Sequence, residues 1–116
     1  MAIEKKYLKS KKKFKVTFTL SAEESGGATS AALVGEFTRW MDGALPMKRD
    51  KQGNFRAVVE LPGGRRYAFR YLLDGSRWEN DWKADAYRYC SFAAADNSIL
   101  DLTEIPSSLR VGADRG

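Results

Sequence analysis

Apolar and polar residues alternate along much of this chain, and the period is that of strands. In FKVTFTL, residues 14–20, Phe14, Val16, Phe18 and Leu20 alternate with Lys15, Thr17 and Thr19, as in a strand with one buried face. SAEESGGATS, 21–30, breaks the pattern with small polar residues and a glycine pair, which predicts a loop. AALVGEF resumes an extended run with Leu33, Gly35 and Phe37 on one face, and LPMK reads as a short edge strand bearing proline. DKQGN turns the chain into NFRAVVEL, where Phe55, Ala57, Val59 and Leu61 share a face. PGG then leads to RRYAFRYLLDG, with Tyr67, Phe69, Tyr71 and Leu73 on one face. A short glycine-rich link between two such runs predicts a hairpin. Asp74-Gly75 is the strongest short turn signal and returns the chain to RWEN; NSILDL, 97–102, reads as the last strand.

Several closely spaced strands and no amphipathic helix predict an all-β, immunoglobulin-like antiparallel sandwich. A chain of 116 residues suffices for one core. The division expected is a basic N-terminal arm over 1–13, the sandwich over 14–102, and a polar C-terminal tail over 103–116.

Charge sharpens this division. Of the net charge of +5, residues 1–15 supply seven lysines against one glutamate, so the rest of the chain is close to neutral. Such an arm can hold phosphates, but apart from Tyr7 it has no interleaved aromatics, which argues against nucleic acid as the partner. A lone cysteine, Cys90, and no histidine leave neither a disulfide nor a zinc or redox motif, so no cofactor or metal is expected. With no apolar leader and no run long enough to span a membrane, a cytoplasmic location is expected, without membrane partners.

The candidate chemistry lies in residues that the core pattern does not use. Trp40 ends GEFTRW and Trp78 follows the Asp74-Gly75 turn, so periodicity fixes neither in a strand interior. Arg70 lies between the inward Phe69 and Tyr71 and must point the other way. An indole face offers an apolar surface for the axial C–H groups of a pyranose. Arginine donates to hydroxyls, and an asparagine such as Asn97 both donates and accepts. Each residue also has a plain structural role open to it: core caps for the tryptophans, a cross-strand ion pair for Arg70, a turn for Asn97. Trp82 reads as a packing element, with extension of the aromatic surface as the alternative.

The order GEFTRW, PMKRDKQGNF, ELPGGRRYAFRYLLDGSRW, END and DNSILDL resembles the glycogen- and starch-binding modules of carbohydrate-binding module family 48, over about residues 14–102. The chain is also similar to small bacterial isoamylase early-set domains. The resemblance implies an early-set, immunoglobulin-like fold and an α-1,4-glucan ligand. It also implies a site in which Trp40 and Trp78 stack on glucose units while Arg70 and Asn97 bond hydroxyls. Three departures carry expectations of their own. Thr38 stands where many members have asparagine, which implies a looser loop under Trp40. Ser76 and Arg77 separate the Asp74-Gly75 turn from Trp78 where a related module has a single residue, which implies displacement of Trp78. Ala93, Ala94 and Ala95 replace more polar residues, so a hydroxyl contact at Ala95 is lost.

Catalysis is not expected. Glycoside hydrolysis needs two carboxyl groups held across a bond. Glu79, Asp81 and Asp85 lie in what reads as a solvated loop, where ion pairing or turn capping is their default role. No G-x-S-x-G or phosphate loop occurs. The expected function is non-catalytic α-glucan binding; the alternative is a protein-interaction module of the same fold that does not touch sugar.

Overall fold

The computed structural model describes residues 1–104, so most of the tail expected over 103–116 lies outside the described residues. Two antiparallel sheets face each other. The first has the order β1 (Ala2–Leu8), β2 (Lys13–Leu20), β6 (Phe55–Pro62), β5 (Lys48–Arg49). The second has β4 (Leu45–Pro46), β3 (Ala31–Gly35), β7 (Arg66–Leu73), β10 (Ala95–Asp101), β9 (Ala86–Cys90), with β8 (Arg77–Glu79) paired to the upper part of β7. The fold is an immunoglobulin-like sandwich.

Alternation builds the core as its period requires. Phe14, Val16, Phe18 and Leu20 of β2 and Phe55, Ala57 and Leu61 of β6 meet Leu33 of β3 and Tyr67, Phe69, Tyr71 and Leu73 of β7. Phe18 packs edge-on against Phe69 at 5.2 Å, and Phe37 bridges Phe18 and Tyr67 at 6.0 and 5.9 Å between centroids. These aromatics tie one sheet to the other.

The hairpin expected across PGG does not form. β6 pairs with β2 along its whole length, from Lys13 opposite Pro62 to Leu20 opposite Phe55, whereas β7 pairs with β3 and β10. The link arches over the core because the apolar faces of β6 and β7 must look at each other rather than lie side by side. A side chain at Gly63 would come within 2.8 Å of the Phe14 ring, and the Tyr67 hydroxyl donates to the Pro62 carbonyl at 2.7 Å, pinning the crossing. LPMK also divides: Leu45 and Pro46 pair with β3, Lys48 and Arg49 with β6, and buried Met47 marks the change of sheet.

Half of the segment read as an arm is a strand. β1 pairs with β2 from Ala2 opposite Thr19 to Leu8 opposite Lys13. Lys5, across from buried Val16, reaches Asp85 at 2.6 Å and the Asp101 carbonyl at 3.0 Å, and so closes the gap between the sheets. β9, which carries exposed Tyr87 and Tyr89, is an edge strand without a buried face, and the apolar pattern gave no sign of it.

Asp101 is held down to about 2 by the Thr103 hydroxyl and backbone N–H and then by Arg66 at 3.1 Å. Backbone and hydroxyl hydrogen bonds from Thr29 and Ser30 also lower Asp74. A carboxyl depressed in the folded state contributes stability above its unfolded value near 4 and loses it as pH falls through the folded value. Melting temperature should therefore decline between about pH 4 and pH 2. In Asp101→Asn the decline should be shallower, as thermal melts across that range would show.

Candidate functional site

GEFTRW is a fitted loop in which each position has a task. Gly35 is required by close approach, since a Cβ there would lie 2.6 Å from the Ala68 carbonyl and 2.8 Å from the Phe69 Cβ. Glu36 accepts the Ala68 N–H at 2.7 Å, and Phe37 turns into the core. Buried Thr38 accepts the Gly35 N–H at 2.9 Å, and its hydroxyl lies 2.9 Å from the carbonyls of both Gly35 and Trp40. The looseness expected from threonine here is thus not found: the hydroxyl ties the loop at both ends. Arg39 and Trp40 take left-handed φ values of 53° and 54°, and this bend leaves the Trp40 indole 37% exposed. Thr38→Val keeps the shape but removes the acceptor, leaving the Gly35 N–H without its partner. A loss of about 1–3 kcal/mol is expected, measured by urea unfolding.

Register sets the neighbours of Arg70. It pairs with Val34 on β3, and one step beyond the Ser98–Phe69 pair the register of β10 brings Asn97 level with it. Trp78 pairs with Leu72, two residues along β7 and on the same face. With its longer turn, Trp78 still lies beside Arg70, whose guanidinium is 4.8 Å from the centre of its ring. Arg77 helps to hold this turn, donating to the Ser25 carbonyl at 2.6 Å. Trp78 is 41% exposed. Arg70, Trp78 and Asn97 therefore come together on the outer face of the second sheet, and Trp40 stands on the loop leaving β3, the other neighbour of β7.

Three roles weighed for these residues do not apply. Neither indole is buried as a core cap, and among the described residues Arg70 forms no ion pair. Asn97 is 7% exposed and sits inside β10, not in a turn. Among the described residues, the buried side-chain polar atoms without a hydrogen-bond partner are Arg70 Nε and Asn97 Oδ1. Such orphans are uncommon, and here both belong to one face.

RWENDW is built around a carboxylate. Asp81 is fully buried, not solvated as its neighbourhood suggested. Its Oδ2 accepts the Tyr71 hydroxyl at 2.7 Å and its Oδ1 the Lys83 N–H at 2.8 Å. Its N–H donates to the Ser98 hydroxyl at 2.9 Å, and its carbonyl accepts the Tyr87 hydroxyl at 2.6 Å. Burial, then the Asp81 charge, pushes the Tyr71 hydroxyl far up, so it stays a donor. Trp82, expected to pack, is 58% exposed, with its indole N–H directed at Glu79 at 3.3 Å. Asp85 is bound to Lys5, and the acids of this stretch thus serve structure. Sequence reasoning also missed Arg88, which pairs with Asn97 across β10 and β9, on a strand with no buried face to mark it.

A sandwich that exposes aromatic and hydrogen-bonding side chains on one sheet face, with Asp81 and Asp85 engaged in structure, has the build of a binding module. The family profile of carbohydrate-binding module 48 (isoamylase N-terminal domain) matches residues 8–88, and the chain belongs to that family. It is a carbohydrate-binding module by family. Trp40, Arg70 and Trp78 lie within the matched span, and Asn97 lies beyond it. Comparison with curated proteins gives no match.

Proposed function

We propose that this module binds α-1,4-glucan without catalysis, with glucose units stacked on Trp40 and Trp78 and their hydroxyls bonded by Arg70 and Asn97. The observation that carries this reading is the fixed Arg70–Trp78 contact at 4.8 Å beside a buried amide whose oxygen has no partner. A platform already held in place loses little side-chain entropy on binding. An orphaned polar atom costs about 1–3 kcal/mol, and a sugar hydroxyl that reaches it recovers part of that. The carboxylates that a hydrolase would need are committed to Tyr71, Lys83 and Lys5. Among the described residues no helix is long and apolar enough to cross a membrane, and the reading places the module with cytoplasmic glucan stores.

Retention on immobilised glycogen, with a change in tryptophan emission on adding β-cyclodextrin, is the expected result. Absence of both contradicts the proposal. One observation favours the alternative of protein association: exposed Tyr87 and Tyr89 lie on the free edge strand β9, with fully exposed Phe92 in the turn that follows it. A stoichiometric partner whose binding survives Trp78→Ala but not Tyr89→Ala would support that reading.

A further inference from the structure

The outer face of the second sheet carries three arginines whose surroundings differ. Arg66 is neutralised by Asp101 at 3.1 Å. Arg70 and Arg88 form no ion pair among the described residues, and both stand level with Asn97, one on each neighbouring strand. The nearby carboxylates are committed elsewhere: Glu36 to the Ala68 N–H, Asp85 to Lys5, and Asp101 to Arg66 and Thr103. Asp96 pairs with Tyr89 and so points to the opposite side of β10 from Asn97. Adjacent strands lie about 4.8 Å apart, so the two arginine backbones are about 10 Å apart with Asn97 between them. Their side chains are long enough to converge above it.

A neutral glucose hydroxyl is served by one guanidinium and one amide. A second cation without a counter-charge adds repulsion and no further need is met, whereas a single phosphate offsets both charges and matches the fork geometry of each arginine. We infer that the site extends across β10 to Arg88, and that Arg70 and Arg88 together hold a phosphate ester carried on the glucan. This rests on the glucan-binding reading of the same face. Arg88 acts here as a specificity residue, because it sets which glucans bind best.

The test compares affinity for phosphate-bearing amylopectin before and after phosphatase treatment, at one ionic strength, by affinity electrophoresis. The wild-type protein should bind the phosphorylated form several-fold more tightly. In Arg88→Gln the ratio should fall to about one; Arg88→Lys, which keeps charge but not the fork, should give an intermediate ratio and guards against misfolding of the glutamine variant. Lys15→Gln, on the outer face of the other sheet, should leave the ratio unchanged. Inorganic phosphate at the same phosphate concentration should leave the preference standing. Equal wild-type affinity for both polymers, a ratio unaltered in Arg88→Gln, an equal loss in Lys15→Gln, or a preference erased by inorganic phosphate would overturn the inference while glucan binding stands. Failure to bind either polymer would overturn both.

Discussion

Asp81→Ala should destabilise the domain by about 3 kcal/mol or more. The substitution strips the Tyr71 hydroxyl and the Lys83 N–H of their acceptor. The hydroxyl is fully enclosed, and each polar group left unpaired costs about 1–3 kcal/mol, with a cavity added. Tyr71 cannot respond by ionising, since burial holds its hydroxyl protonated. Asp81→Asn, which keeps an acceptor oxygen, should lose less. Urea unfolding gives the values; a loss below about 1 kcal/mol in Asp81→Ala would mean that the network is dispensable. Tyr71→Phe with Asp81→Ala should cost less than the sum of the single changes, because neither partner is then left alone.

Trp78→Ala should reduce glucan affinity about tenfold or more while leaving stability nearly intact. A stacked indole contributes on the order of 1.5–3 kcal/mol by apolar burial. With 41% of the residue exposed, little of that is already spent in the free protein. The change also releases the Arg70 guanidinium from the ring, so a hydroxyl donor is lost along with the stacking surface. Affinity electrophoresis in glycogen and a thermal melt separate the two effects. Unchanged mobility with an unchanged melt would remove Trp78 from the site.

How much of this could be read in the sequence depends on what each residue's neighbours had to be. The alternation in β2, β6 and β7 specified the faces correctly, because the period of a strand is a local property. Which strand pairs with which is not local. Phe55 and Phe69 have the same pattern whether their strands lie side by side or face to face, and the crossing at Pro62 to Gly64 became visible only in the register. Trp40 and Trp78 stood out because no apolar period claimed them, and both are exposed. By the same logic Trp82 deserved the same reading. Asp81 was hidden by its charged neighbours: its burial depends on Tyr71, Ser98 and Tyr87, which come from three other elements. Arg88 was missed because β9 has no buried face to announce it.

The chain has three tryptophans, and each gives one indole N–H resonance. Titration of the labelled protein with maltoheptaose, followed by two-dimensional nitrogen–proton spectra and assigned by single Trp→Phe variants, tests the shared platform most directly. The Trp40 and Trp78 signals should move together along one saturation curve, with the Trp82 signal nearly still. Movement of only one of the pair, a leading shift at Trp82, or no shift at all would contradict the assignment of the outer face as the glucan site.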